Sequence, residues 1–531
     1  MPSLATLRPT GSETVSSVLA RQAGERPAEP FLIFEDGEGH TAERTFAQTD
    51  RRATQVAHLL SRLGVKPGNT FHVHLANCLE FFDCWFGGAR LGAIMVPTNP
   101  LSTAPELDFM IRHADCRVSI TSPDLAATVR QTGALDELLV TGAEFEAALD
   151  AEPAEWTGCA APSALDPAAM LYTSGTTSDP KGVLVTNANY LFVGTAVAQY
   201  LRLRPDDRHL VVLPLFHANA QYYSTMSALV TGASVAVMER FSATRWSQQA
   251  VDHGATVASL FAAPVRMILA QEPHEADRRH SLRVALFAQN VTEEQLGQFG
   301  ARFGVDLLQL YGMTETIAPP TLNPLYGERR NMTIGRPAPW ARLRVVDGAG
   351  RDVSDGAAGQ LLVGGEPGVT LMAGYFKNPE ATAAAIRDGW LQTGDNVRVD
   401  AEGYLHFVDR GKDMIKRAGE NVASGEVERV LNEHPAVFES AVIGVPDAIR
   451  DEAILAFVVL NQGASATEED LLAWCTTKLS KFRVPSFVRF TSVLPRTSVG
   501  KIQKHLLRKE AQEREGYPDE LRPPSIPQHG R

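Results

Sequence analysis

Residues 173–182 read TSGTTSDPKG. Five hydroxyl side chains (Thr173, Ser174, Thr176, Thr177 and Ser178), two glycines (Gly175 and Gly182) and Lys181 fall within ten positions, flanked by apolar runs. Such a loop can turn backbone N–H groups, hydroxyls and one ammonium toward the oxygens of a polyphosphate. It is not the G-x-x-x-x-G-K-[ST] nucleotide loop, because Pro180 stands five positions after Gly175 and Gly182 follows Lys181. On residue chemistry alone the string also reads as a polar surface turn.

A phosphate loop needs rigid elements on both sides, and the surrounding sequence supplies them. Ala53, Val56, Ala57, Leu60 and Leu63 recur at helical spacing, and Gly64 and Pro67 then stop the helix. Phe71, Val73 and Leu75 alternate as in a half-buried strand, before a helix over 81–91 and a strand over 93–96. Strands are expected again at 210–213, 234–238, 257–261, 284–287 and 305–310, so the fold class is layered α/β. From about residue 342 the texture changes to shorter strands with Gly and Asp turns, including a hairpin of 396–399 with 404–408. Beyond residue 409 a compact α+β unit of roughly 100 residues is expected, an ordinary domain size. It has a helix over 426–433, strands over 440–445 and 454–460, and a helix opened by a capping box from Ser465 to Glu468. A last strand lies near 487–490, and the Pro-, Glu- and Arg-rich tail over 512–531 carries no periodicity and is expected to be disordered.

Bulk properties narrow the function class. A chain of 531 residues exceeds the ~250–300 at which one core stops growing, so at least two domains are expected. The net charge of −12 argues against a nucleic-acid partner. No run approaches the ~20 apolar residues of a membrane span, and the N-terminus lacks a secretory pattern, so a soluble cytoplasmic protein is expected. The five cysteines (Cys78, Cys84, Cys116, Cys159 and Cys475) form no C-x-x-C pair and read as reduced, mostly buried thiols. His72 and His74 share one face of a strand without a third ligand, which disfavours a metal site there.

The 173–182 string resembles the signature of the acyl-adenylate-forming superfamily, which includes acyl-CoA synthetases, adenylation domains of peptide synthetases and beetle luciferases. The likeness continues in order through YGMTE (311–315), TGD (393–395), Asp409-Arg410, KDMIKRAGEN (412–421) and PRTSVGK (495–501), and so covers nearly the whole chain. The stretches 311–317, 407–410, 414–417 and 449–453 look most similar to the carnitine/crotonobetaine-CoA ligase branch.

The resemblance implies an ATP- and Mg²⁺-dependent ligase that joins a small-molecule carboxylic acid to CoA through an acyl-adenylate. It implies an N-terminal adenylation domain over 1–409, a hinge at 410–412 centred on Lys412, and a mobile C-terminal lid over 413–511. Thr173, Ser174, Gly175, Thr176, Thr177 and Lys181 then form the phosphate loop. Ala288, Gln289 and Asn290 replace the usual small residues of the adenine and acyl pocket with a more polar floor. Tyr311 stacks on adenine beside Gly312, Thr314 contacts the α-phosphate, and Glu315 is the magnesium ligand. Asp395 and Arg410 hold ribose or phosphate. Lys501 bridges the substrate carboxylate and the α-phosphate during adenylation. Gly419 and Glu420 flank the pantetheine tunnel, and His217 gates it. Tyr222 and Tyr223 are candidates for cation–π contacts to a quaternary ammonium acid.

Three readings stay open. The acyl acceptor is free CoA, a carrier-protein thiol, or an amine or other nucleophile. A non-catalytic nucleotide-binding homologue is disfavoured by the joint presence of Lys181, Glu315, Asp395, Arg410 and Lys501. The acid, whether fatty or other, and a homo-oligomeric state are left open.

Overall fold

A computed structural model describes residues 12–158, 161–173, 180–288, 291–410, 413–417, 420–447, 451–496 and 502–513. The chain forms two compact units, the first of Met1–Leu343 with Leu362–Gln392, the second of Arg344–Leu361 with Thr393–Arg531. The change of texture near residue 342 coincides with the first passage between them. The boundary expected at 409–413 falls within the second unit, and Lys412 lies outside the described residues.

The first unit holds two large sheets. The nine-stranded sheet has six consecutive parallel strands, in the order Leu307–Tyr311, Val284–Ala288, Val257–Phe261, Arg208–Val211, Ser234–Met238 and Pro30–Glu35. These are apolar runs buried almost throughout, as parallel strands covered on both faces must be. The seven-stranded sheet places Ile94–Pro97, Thr70–His74, Val118–Thr121 and Glu137–Val140 parallel to Pro167–Thr173. Pro167–Thr173 then turns back on Lys181–Thr186 as an antiparallel hairpin, whose free edge takes the short strand Gly374–Tyr375.

Thr70–His74 differs from its expected half-buried form, since every one of its five residues is buried. Its position in the middle of the parallel sheet covers both faces, so alternate histidines go inside. His72 Nδ1 meets Ser119 Oγ at 2.8 Å, and Thr98 Oγ1 lies 2.8 Å from both His72 Nε2 and His74 Nδ1. These hydroxyls partner both nitrogens of His72 and Nδ1 of His74, as core polar groups require, and His74 Nε2 is buried without a hydrogen-bond partner among the described residues.

In the second unit, Glu420–Ala423, Met414–Arg417, Asp451–Leu460, Val437–Asp447 and Phe487–Phe490 form one sheet. One face packs on helices Ser424–Asn432 and Glu468–Lys478 through Val427, Val430, Leu431, Leu471 and Cys475. The other packs on helix Lys504–Glu513 through Leu507 and Ala511, and that helix occupies the first two positions of the expected tail. Burying each valine or leucine side chain among these is worth about 1.5–3 kcal/mol. The cap of Glu468–Lys478 is Thr467 rather than Ser465. Thr467 Oγ1 accepts from the Asp470 N–H at 3.1 Å, and Asp470 Oδ2 accepts from the Thr467 N–H at 2.9 Å. Glu468, freed from the expected box, instead accepts from the Val488 N–H at 2.7 Å and ties the helix to the last strand.

Candidate active site

Parallel strands put their carboxyl ends on one edge, where ligands of open α/β sheets bind. Ala288 and Tyr311 are the last residues of adjacent strands in the order of the large sheet, and both emerge part-exposed from otherwise buried runs. His217 follows the carboxyl end of Arg208–Val211, in a turn where its N–H donates to Pro214 O at 3.1 Å. Its ring stands edge-on to Phe261, at the end of the next strand, with 6.3 Å between centroids. Asn77, which carried no sequence signal, fixes that turn. Its Oδ1 accepts from the Leu215 N–H at 2.7 Å, and its Nδ2 donates to Leu213 O at 3.1 Å and Met238 O at 2.9 Å. Gln221 adds a donor to Leu215 O at 2.7 Å. The turn leads into a buried π-helix, Ala220–Thr225, a form common at functional sites.

After Tyr311 the chain bends through the 3₁₀ turn Thr314–Thr316. Thr316 Oγ1 accepts from the Met313 N–H at 3.1 Å and donates to Met313 O at 2.9 Å. Ile317 ends the turn at φ 62°, a conformation a β-branched residue adopts only when its surroundings impose it. Gly312 is required by a close approach. A Cβ there would lie 2.7 Å from Tyr223 Oη. Tyr222 and Tyr223, the candidates for cation–π contacts, are both buried, Tyr222 fully, and Tyr222 makes T-shaped contacts with Tyr190 at 5.7 Å and Tyr223 at 6.3 Å.

Glu315 is only 6% exposed. Its Oε1 accepts from Tyr375 Oη at 3.0 Å, and its backbone carbonyl accepts from the Met372 N–H at 3.0 Å. Burial, then the Glu315 charge and this hydrogen bond, push the Tyr375 hydroxyl well above its ordinary pKa and keep it a donor. The Lys181 ammonium sits 5.0 Å from the centroid of the same ring. Thr173 and Lys181 are paired across the hairpin, so they flank the phosphate-loop segment 174–179. Tyr375 thus touches both the loop lysine and the candidate metal carboxylate. Sequence reading missed it, and the only local signal was a lone tyrosine between Gly374 and Phe376.

In the second unit Asp395 and Arg410 stand directly opposite each other across an antiparallel pair. Asp395 is 2% exposed, and its N–H donates to Thr393 Oγ1 at 3.1 Å. Glu420 opens the strand Glu420–Ala423 opposite Arg417. Arg496 pairs with the buried Glu439 and bridges to Ile502, while the Gln503 N–H donates to Pro495 O at 2.8 Å. Pro495 and Arg496 are therefore adjacent to Ile502 and Gln503, the first described residues after the PRTSVGK motif. Ser174, Gly175, Thr176, Thr177, Gln289, Asn290, Lys412, Gly419 and Lys501 lie outside the described residues, as do the side chains of Arg410 and Glu420.

Among the described residues no group of three or more His, Cys, Asp or Glu side chains could hold a metal. One buried carboxylate at Glu315 is what Mg²⁺ requires when phosphate oxygens and water complete its octahedron, so these residues fit that ion. No helix among the described residues is long and apolar enough to cross a membrane.

Comparison with known proteins identifies the class to which this architecture belongs. Residues 19–376 match the AMP-binding enzyme family and residues 426–501 match the C-terminal domain of AMP-binding enzymes. The chain belongs to this adenylate-forming family. It is 38% identical to the crotonobetaine/carnitine–CoA ligase of Citrobacter koseri, over 92% of this chain and 97% of that one. The ATP-bound structure of MatB from Rhodopseudomonas palustris superposes with a TM-score of 0.85 at 28% identity, covering 94% of this chain and 99% of that one. A benzoate CoA ligase from Burkholderia xenovorans gives a TM-score of 0.85 at 27% identity, over 93% and 100% of the two chains.

Proposed function

We propose that this chain is a carboxylic acid–CoA ligase. The acid's carboxylate attacks the α-phosphorus of ATP, forming acyl-AMP and releasing pyrophosphate. The CoA thiol then attacks the acyl carbon, forming the thioester and releasing AMP. The observation that carries the reading is the Lys181–Tyr375–Glu315 arrangement beside the phosphate-loop segment, in a family match that spans both units.

Lys181 offers a positive charge to the polyphosphate, and Thr173 stands opposite it at the other end of the loop. Tyr311 offers a ring at its strand end for adenine, Thr314 a hydroxyl for the α-phosphate, and Ala288 part of the pocket floor. Glu315 would hold Mg²⁺, which when bound neutralises developing charge on the phosphates. Asp395, an acceptor-only carboxylate, suits the ribose hydroxyls, with Arg410 opposite it. Lys501 is assigned to adenylation, Lys412 to the hinge, and Gly419, Glu420 and His217 to the thiol path. Chemistry of this kind rests on positioning and charge stabilisation.

The relatives named for crotonobetaine and carnitine make short betaine acids the first substrates to test. The deciding experiment measures pyrophosphate release over betaine, short, branched, aromatic and fatty acids, with mass analysis of the products. One acid class is expected to give an acyl-CoA mass and AMP. Accumulation of acyl-AMP alone with CoA present would sink the CoA assignment and point to another acceptor.

A further inference from the structure

Lys181 and Glu315 belong to different parts of the first unit. The lysine opens a strand of the seven-stranded sheet, and the glutamate follows the carboxyl end of Leu307–Tyr311 in the nine-stranded sheet. One short segment touches both. The Ala373 N–H donates to Leu184 O at 3.0 Å and the Phe376 N–H to Gly182 O at 2.8 Å, which anchors the segment on the hairpin. On its other side the Met372 N–H donates to Glu315 O at 3.0 Å. Tyr375 pairs with Val183, and Lys181, two residues from Val183, projects to the same face, so the tyrosine ring and the lysine are diagonal neighbours. The Tyr375 backbone is itself held, its N–H donating to Thr382 Oγ1 at 2.9 Å.

From this we infer that Tyr375 is a positioning residue that fixes the Lys181 ammonium and the Glu315 carboxylate as one unit. The ring is the platform for the ammonium. The hydroxyl donates to Glu315 Oε1 at 3.0 Å and restrains the carboxyl from rotating, which holds the carboxylate in one orientation toward a cation. A carboxyl torsion is broad and roughly two-fold when nothing restrains it. An ammonium on a four-carbon stem is similarly loose. One side chain thereby orders both partners of a polyphosphate–metal complex before either arrives. The inference rests on the proposed roles of Lys181 and Glu315.

Its test uses the full-length protein as Tyr375→Phe, Tyr375→Leu and Glu315→Gln. Binding of Mn²⁺ with a non-hydrolysable ATP analogue is followed by electron paramagnetic resonance. Acid-dependent ATP–pyrophosphate exchange and thiolation from supplied acyl-adenylate are measured separately. Tyr375→Phe keeps the ring and loses the donor, so Mn²⁺ affinity should fall about tenfold with KM for ATP nearly unchanged, as for a lost hydrogen bond to a charged group. Tyr375→Leu should show that loss together with a rise of about fivefold in KM for ATP, the scale of a cation–π contact. Thiolation should be unaffected in both. Parent-like Mn²⁺ binding in Tyr375→Phe, while Glu315→Gln is defective, overturns this inference and leaves the role of Glu315 standing. Indistinguishable Phe and Leu variants overturn the platform. Unchanged Mn²⁺ binding in Glu315→Gln overturns the role of Glu315 and the inference with it.

Discussion

Gly312 and Tyr223 make a pair whose logic is steric. Strand Leu307–Tyr311 ends against the buried π-helix, and the phenol oxygen stands where a side chain at 312 would begin. Gly312→Ala should therefore displace the 313–316 turn, cost about 1–3 kcal/mol by overpacking, and lower the pyrophosphate-exchange rate. Tyr223→Phe removes the obstructing atom, so the double variant should recover most of the loss in both urea unfolding and exchange rate. Additive losses would show that the Tyr223 contact does not explain the glycine. At this scale the sequence was readable where chemistry lies in ordered motifs. Lys181, Tyr311 and Glu315 were singled out as candidates by their strings. Tyr375 was not, because its meaning lies in a hydrogen bond across 60 residues and a ring contact to the far hairpin. Asn77 was invisible for the same reason, its turn contact spanning 138 residues.

The strand Thr70–His74 shows how an element's place in a sheet overrides its pattern. Alternating Phe71, Val73 and Leu75 read as a half-buried strand, yet the intervening His72 and His74 are buried as well. Hydropathy alternation reports chemistry, and it cannot report that a second layer covers the polar face. Desolvation lowers the pKa of His72 to about 3, with the neighbouring His74 adding to it, and that of His74 to about 4. His209, buried in the large sheet, is likewise lowered by desolvation to about 4. All three are neutral when folded and bind protons near pH 6.5 when unfolded, so stability falls as pH drops below that value toward 4. Each contributes up to about 1.4 kcal/mol per pH unit in this window. Asp83 acts in the opposite sense, since burial raises its pKa to about 6 and favours the folded state as it protonates. Three histidines outweigh one aspartate. Urea midpoints should be lower at pH 5.0 than at pH 7.5, and His209→Asn should flatten the difference. Equal midpoints in the parent protein would contradict the burial of neutral imidazoles. The cap at Thr467 makes a related point, because Ser465 and Thr467 both precede acidic residues three positions on, and local pattern could not choose between them.

Across the molecule, the two half-reactions should be separable. Lys501→Ala is expected to abolish acid-dependent ATP–pyrophosphate exchange while thiolation from supplied acyl-adenylate persists. Equal loss of both would contradict its assignment to adenylation alone. The small α+β fold around residues 426–501 was legible in the order of its helices and strands, although Val437–Asp447 and Asp451–Leu460 run longer than the expected 440–445 and 454–460. The partition of the chain was less so, since the first unit takes back residues 362–392 after the chain has entered the second. That detour has a consequence in time. During synthesis the hairpin bearing Lys181 and the turn bearing Glu315 are made well before residues 372–376, which join them. A nascent chain of 343 residues would hold every strand of both large sheets except Gly374–Tyr375, and so would lack the segment that touches both Lys181 and Glu315. The phosphate site is therefore among the last parts of its unit to become complete, a late contact of high sequence separation. A fragment cut at residue 343, where a linear reading would place a domain end, would keep the loop and the carboxylate and lose the tyrosine that aligns them.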